Sequence, residues 1–244
     1  MKRLKPFLKS KVIRPCLQAV GCGYLSSVGL EHIDLQLVSI LKSKRNGFFI
    51  EAGANDGITQ SNTYYLEKIL GWQGLLVEPL PHLAATCQRN RNGDVVNSAL
   101  VRHDYPDPTT VIECANLMSI VNDGSLASES VIQHAERGRR IQGIKESQSI
   151  EVPTSPLSKL LKDRSISHVD FFSLDVEGYE PEVLKGIDFS AVTFDHIFIE
   201  TRASNEAEIE SVLNHVGLIE THSWLNPSCC NKLYVRKALA DARS

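Results

Sequence analysis

With 244 residues, 42% of them apolar, the chain is long enough for one large α/β domain with a real core. A formal net charge of -3 gives no reason to expect nucleic acid as a partner, and no window is apolar for long enough to span a bilayer. Six cysteines without a paired CxxC spacing argue against a structural zinc site and suit a reducing, cytoplasmic compartment.

Residues 1–30 form a basic arm: Lys2, Arg3, Lys5, Lys9, Lys11 and Arg14 precede the first acid, Glu31. The stretch that follows is too polar and glycine-rich for the core of a signal peptide. The arm reads as a solvated segment, with a weak peripheral contact to an anionic membrane surface as the functional alternative.

Residues 31–244 read as one domain. Ile33, Leu37, Val38, Ile40 and Leu41 give His32 to Lys42 a helical face. Phe48 to Ile50 is a short apolar run ended by Glu51 and a glycine turn, the pattern of a buried parallel strand. A helix over 62–70 stops at Gly71, and Leu75 to Val77 is a second strand ending at Glu78 and Pro79. Pro81 opens a helix, and Val95 to Val101 reads as a third strand. The order βαβαβ is that of a doubly wound sheet.

Regularity fails from about 102 to 154, which reads as an insertion over the substrate side. Val111, Ile112 and Ile150 to Val152 are candidate short strands within it, and Arg137, Arg139 and Arg140 form a basic cluster. That cluster is either a solvated face or a receiver for an acidic sugar or phosphate. Ser155 and Pro156 then mark a capped helix start, and Val169 to Leu174 is a fourth strand ending at Asp175. A short helix covers Pro181 to Lys185, and His196 to Ile199 is a fifth strand ending at Glu200. Asn205 with Glu208 suggests a capping box for a helix reaching Val216, and Leu218 to Ser223 and Leu233 to Arg236 supply the last strands.

Ligands of doubly wound sheets sit beyond the carboxyl ends of the strands, so residues following strands carry the chemistry. After the first strand come Glu51, Gly53, Asn55, Asp56 and Gly57. The glycines lack the G-x-G-x-x-G spacing of a dinucleotide fold, and the carboxylates of Glu51 and Asp56 would repel a pyrophosphate. They suit a ligand bearing an ammonium and a sulfonium, as S-adenosylmethionine does. Glu78, 21 residues after Gly57, is placed to accept hydrogen bonds from ribose hydroxyls. Asp175 ends the fourth strand and would project toward the methyl-bearing end of such a donor. Glu177 is either a base or a loop-ordering acid, whereas Glu180 lies at a helix start, where negative charge is favourable.

The runs Phe49 to Gly57, Leu76 to Pro79, Asn97 with Ala99, and Ser173 to Glu180 with Val183, Leu184 and Gly186 occur in this order. Together they resemble the FkbM family of methyltransferases over about Phe48 to Arg202. The resemblance implies an α/β, Rossmann-like doubly wound sheet of about seven strands, of the class I methyltransferase type, with helices on both faces. It also implies S-adenosylmethionine as donor and O-methylation of a sugar or polyketide hydroxyl. Carried over residue by residue, it makes Glu51, Gly53, Asn55, Gly57, Glu78 and Asp175 cofactor contacts, with Asn97 at the adenine edge. Glu51 stands where the family often has Asp. Ser61, Asn62 and Thr63, with Phe171 to Leu174, look closest to a subgroup found in animal proteins, some of which act in trafficking or signalling. The rival readings are therefore a non-catalytic recognition module on the same fold and, less favoured, a nicotinamide-dependent oxidoreductase.

In-line transfer to a sugar hydroxyl needs the oxygen at about 3 Å from the methyl carbon and a base to take its proton. Asp175, Glu177 and Glu200 are the candidate bases, with His103 a further one. Three clustered carboxylates could instead hold a divalent cation that acidifies the hydroxyl, but the metal-free version is preferred. His82 and His196 read as structural, and Cys229 and Cys230 as reduced thiols, one facing in and one out.

Overall fold

The computed structural model describes residues 27–114, 120–121, 148–226 and 229–242. The basic arm to position 26 and the cluster at Arg137, Arg139 and Arg140 lie outside them.

Helix α1 (Ile33–Ile40) leads into β1 (Phe48–Ala52), α2 (Tyr64–Lys68), β2 (Gln73–Val77), α3 (Pro81–Asn90) and β3 (Asp94–Val96). Four strands follow: β4 (Ala99–Leu100), β5 (Thr109–Cys114), β6 (Ile120–Val121) and β7 (Gln148–Ser155). Then come α4 (Leu157–Asp163), β8 (His168–Val169), β9 (Phe171–Leu174), α5 (Glu180–Lys185), β10 (Thr193–Phe194), β11 (His196–Thr201), α6 (Glu206–His215), β12 (Leu218–Leu225), β13 (Cys230–Arg236) and α7 (Lys237–Asp241).

The main sheet has seven strands in the order β12-β13-β11-β9-β1-β2-β3. Strand β13 pairs antiparallel with both of its neighbours, and the other pairs are parallel. This is a doubly wound, Rossmann-like arrangement, and the chain reverses its direction of winding between β1 and β9. The central strands are apolar on both faces because both faces are covered. Ile50, Leu75, Phe172 and Ile197 pack in one core cluster with Leu161 of α4, Leu184 of α5 and Leu213 of α6. Phe49, Leu76, Phe171 and Phe198 pack in a second with Leu37 of α1, Leu66 of α2 and Cys87 of α3. No helix among the described residues is long and apolar enough to cross a membrane.

Three sequence expectations change. The third strand is not continuous from Val95 to Val101: β3 ends at Val96, and β4 joins a separate four-stranded sheet by pairing with β7. The break falls at Asn97, whose amide donates to the carbonyls of Glu78 (2.9 Å) and Pro79 (2.7 Å) and so bends the chain away from the main sheet. Ser155 does not cap α4. It ends β7, and Pro156 stands at the cap position without a side-chain hydrogen bond to the helix. Nor does the capping box form: Glu208 pairs with Lys185 at 2.9 Å, and the Asn205 side chain turns elsewhere. The proposed short strands of the insertion are there, with Ile112 opposite Ile150 in antiparallel register.

Candidate active site

Register sets the site. Val77, Ala52 and Leu174 lie in one row across β2, β1 and β9, and Ile199 of β11 lies opposite Leu174. The next residues, Glu78, Gly53 and Asp175, therefore leave the sheet side by side, and Glu200, still paired with Asn231 of β13, stands next in the row. With strands about 4.8 Å apart, Glu78 and Asp175 stand roughly 10 Å from each other, with Gly53 between them.

Gly53 takes φ +80, and a Cβ there would lie 1.9 Å from the Asp175 carbonyl oxygen. The amides of Gly53 and Ala54 both donate to the Val77 carbonyl (3.0 and 3.1 Å), so this turn is held between β2 and β9. Gly53 and Asp175 are both exposed, unlike the strands that carry them. A bare backbone meeting an open carboxylate at the switch in strand order is where a ligand can approach closely. Gly53→Ala should destabilise the fold by about 1–3 kcal/mol through the disallowed backbone conformation and the clash. Urea denaturation checks this, and an unchanged midpoint would separate the β1 turn from Asp175 in solution.

The remainder of the loop supports itself. Asn55 adopts φ 50 and its carbonyl oxygen Oδ1 accepts from the Asp56 amide at 2.6 Å. The Asp56 carboxylate accepts from the amides of Ile58 (2.9 Å) and Thr59 (2.7 Å) and from the Thr59 hydroxyl (3.0 Å). Asp56 thus closes the turn through its carboxylate. Gly57, at φ +78, leaves room for Cys87 and Arg91.

Glu51 also has another task. It is 4% exposed and accepts from the hydroxyls of Ser61 (2.9 Å) and Thr63 (2.7 Å), the Asn62 amide (3.0 Å) and Nη1 of Arg91 (3.2 Å). Arg91, whose side chain is fully buried, also reaches Glu67 at 3.1 Å, the Gly57 carbonyl at 3.0 Å and Thr63 at 2.8 Å. Burial alone would raise the Glu67 carboxyl, but Arg91, Lys68 and the Asn92 amide hold it below its usual range. Glu51 therefore fixes the glycine loop from beneath, and sequence reasoning missed Arg91.

Glu78 is buried and accepts from the amides of Asn55 (2.8 Å) and Leu80 (2.9 Å). Burial pushes its carboxyl up to about 7, against the pull of those two amides. Asn97 braces the turn that carries Glu78, so its amide nitrogen serves the backbone.

Asp175, Glu177, Glu180 and Glu200 gather around one guanidinium. Arg202 donates to Glu200 through Nε (3.1 Å) and Nη2 (2.8 Å), and to the carboxylate (2.6 Å) and carbonyl (2.9 Å) of Glu177. That double hold keeps Glu177 at φ 60, a conformation unfavourable for a residue with a side chain. Glu180 is fully buried and accepts from the amides of Val176 (3.1 Å) and Gly178 (3.0 Å) and from the Asn205 side chain (3.0 Å). Burial pushes it up to about 7. Asp175 is exposed at its surface, yet burial by the surrounding protein is the largest influence on its carboxyl. Enclosure, then Glu200, Glu177 and Glu180, hold it well above the carboxylate range, against Arg202. The Cys229 thiol borders this group and is pushed up to about 12 by burial and by Glu200, which leaves it inert. Cys229 and Cys230 are both half-buried, not one in and one out.

Oxygens of Asp175, Glu180 and Glu200 lie within 4.8 Å of one another, a spacing a cation could bridge. Glu180 already accepts on both oxygens and Arg202 holds Glu200, so the guanidinium takes the cation's part. His168, Asp170 and Asp195 are also close, at the opposite end of the strands, but Lys44 and Arg236 pair their acids. His103 is exposed and acts on Asp188, after α5, away from the Asp175 group. His196 is buried and bonds the Asp170 carbonyl at 2.9 Å, a structural part. Arg202 was missed in the sequence, although its place two residues after a strand-end acid was a usable signal.

The family model described as the methyltransferase FkbM domain matches residues 51–223. A search of the curated proteins finds no match. The chain is similar to solved structures that include a TehB-like SAM-dependent methyltransferase from Corynebacterium glutamicum, at 12% identity over 84% of this chain and 87% of that one (TM-score 0.43). Another is precorrin-6y C5,15-methyltransferase from Geobacter metallireducens, at 9% identity over 84% and 89% of the two chains (TM-score 0.47). A third is Aeropyrum pernix fibrillarin with natively bound S-adenosyl-L-methionine, at 12% identity over 79% and 67% (TM-score 0.44).

Proposed function

The chain belongs to the FkbM family of S-adenosylmethionine-dependent methyltransferases, and from that premise we propose that it transfers the donor's methyl group to a hydroxyl oxygen of a sugar-containing acceptor. The observation that carries this reading is the meeting of exposed Gly53 with exposed Asp175 at the switch in strand order, beside a group of acids. Adenosine would lie toward Glu78 and the methionine end toward Asp175. When bound, the donor supplies an electrophilic methyl carbon on a cationic sulfur. Asp175 then takes the acceptor's proton: it is open to the acceptor, and its raised basicity suits proton removal. Glu177 and Glu200, tied to Arg202, serve as its electrostatic frame. The four-stranded sheet built from β4, β5, β6 and β7 is the part that would meet the acceptor.

S-adenosylhomocysteine at one hundred times its Kd should stabilise the protein by about 2.7 kcal/mol, and NAD should not. Labelled S-adenosylmethionine offered with a panel of hydroxylated sugars then tests transfer. Binding without turnover on any acceptor, together with tight association with a partner protein, would favour a recognition module instead. Glu78→Ala should weaken S-adenosylhomocysteine binding by about 1–3 kcal/mol, the cost of unpaired ribose hydroxyls and loop amides. Equal calorimetric affinities for the two proteins would remove Glu78 from the ribose site.

A further inference from the structure

Among the described residues, four carboxyl groups and a single guanidinium converge where the methyl-bearing sulfur would sit. Asp175, Glu177 and Glu180 come from the turn between β9 and α5, and Glu200 and Arg202 from the end of β11. Cys229, before β13, adds a neutral thiol, and β1 contributes only the peptide of Gly53. Lys232, the nearest cation of β13, is engaged with Glu206 (2.6 Å) and Glu220 (2.7 Å). Arg202 is thus outnumbered by acids that cannot move apart: Glu180 is fixed by three hydrogen bonds and Glu200 by the guanidinium.

We propose that this excess of acid makes the site select the cationic donor over the neutral product, S-adenosylmethionine over S-adenosylhomocysteine, with Glu200 and Asp175 supplying the discrimination. The inference rests on the donor-site reading above. The two ligands share every group except one methyl and one positive charge, so charges near the sulfur can tell them apart. In the enclosed site each carboxylate attracts the sulfonium more strongly than it would in water.

The same excess links selection to protons. Asp175 and Glu180 both hold protons at a higher pH than ordinary carboxyls. A bound sulfonium favours their ionised forms, so the donor binds with release of a proton and gains affinity as pH rises through their range. The neutral product lacks this gain. Glu78 titrates in the same range, but it faces the adenosine common to both ligands and cancels in their ratio.

The reaction uses the linkage in reverse. The carbon–sulfur bond breaks with its electron pair left on sulfur, and the acceptor oxygen bonds the methyl carbon and gives its proton to Asp175. The sulfonium charge disappears as one carboxylate is neutralised, so the acids are not left with an additional unpaired charge. The product thioether, no longer attracted, is free to leave.

Calorimetry on the intact chain with S-adenosylmethionine, S-adenosylhomocysteine and sinefungin, whose ammonium replaces the sulfonium, tests this. The preference for either cation over S-adenosylhomocysteine should grow roughly tenfold from about pH 6 to about pH 8. In Glu200→Gln that preference should shrink at least about fivefold, with S-adenosylhomocysteine held within about twofold. A ratio that is flat with pH, with sinefungin following S-adenosylhomocysteine, overturns the selection while leaving the donor site standing. Should none of the three bind, the donor-site reading falls with it. The sinefungin comparison needs no variant, so a misfolded Glu200→Gln does not remove the test.

Discussion

Arg91→Met should lower the unfolding free energy by about 3–5 kcal/mol, the cost of stranding a buried carboxylate without its cation. The Arg91 side chain is fully buried, between Glu51 at 3.2 Å and Glu67 at 3.1 Å, and stacks over the rings of Phe49 (5.3 Å) and Tyr64 (5.7 Å). Lys68 also reaches Glu67, at 2.8 Å, so Glu51 is the acid left stranded. Methionine fills most of the volume and isolates the charge effect from the packing effect. Adding Glu51→Gln should then recover at least half of the loss, because a neutral amide is far cheaper to bury. Urea titrations of the three proteins decide the matter: a loss below about 1 kcal/mol, or no recovery in the double variant, would mean that water reaches the pair. The loop that presents Gly53 hangs on this network through Ser61, Thr63 and Gly57, so donor binding should weaken with stability.

That network marks the limit of what the sequence discloses. Strands β1, β2, β9 and β11 are legible because burial on both faces demands short unbroken apolar runs, and such runs are easy to see. The strand-end position of Gly53, Glu78, Asp175 and Glu200 follows from them, since register in a parallel sheet carries the ends along together. What an acid at a strand end does is not local. Glu51, near the end of β1, and Asp175, just past the end of the adjacent β9, lie two rows apart, yet one is closed by Arg91, forty positions away, and the other stays open. Asn97 hides in the same way. The apolar pattern runs on through Val95, Val96, Ala99 and Leu100 as though one strand continued, and only two hydrogen bonds to the turn of a neighbouring strand show why the chain leaves the sheet there. Asn205 offers the sequence of a capping box, but the Arg202 amide at 2.8 Å and the Glu180 carboxylate at 3.0 Å take its side chain. Competition among long-range partners, rather than weak local preference, is what these misreadings share.

Asp175→Asn should reduce kcat roughly 10²–10⁴-fold, the usual contribution of a positioned base, while S-adenosylhomocysteine affinity stays within about twofold. The amide keeps the size and exposure of the side chain and removes its charge together with its ability to accept a proton. The pH profile gives the sharper reading. A base must be ionised to work, so kcat in the parent should climb with pH through the Asp175 titration, which enclosure, Glu200, Glu177 and Glu180 hold above the carboxylate range. The variant should lose that climb. Glu177→Gln offers the contrast: with its carboxylate and carbonyl held by Arg202, Glu177 shapes the turn and the field, and its loss should reduce kcat much less. Steady-state rates across pH for the two variants separate the roles. If Asp175→Asn kept the parent's rate and profile, the proton would have to leave by another group, and Glu200, held but still bordering the site, would be the acid to examine next.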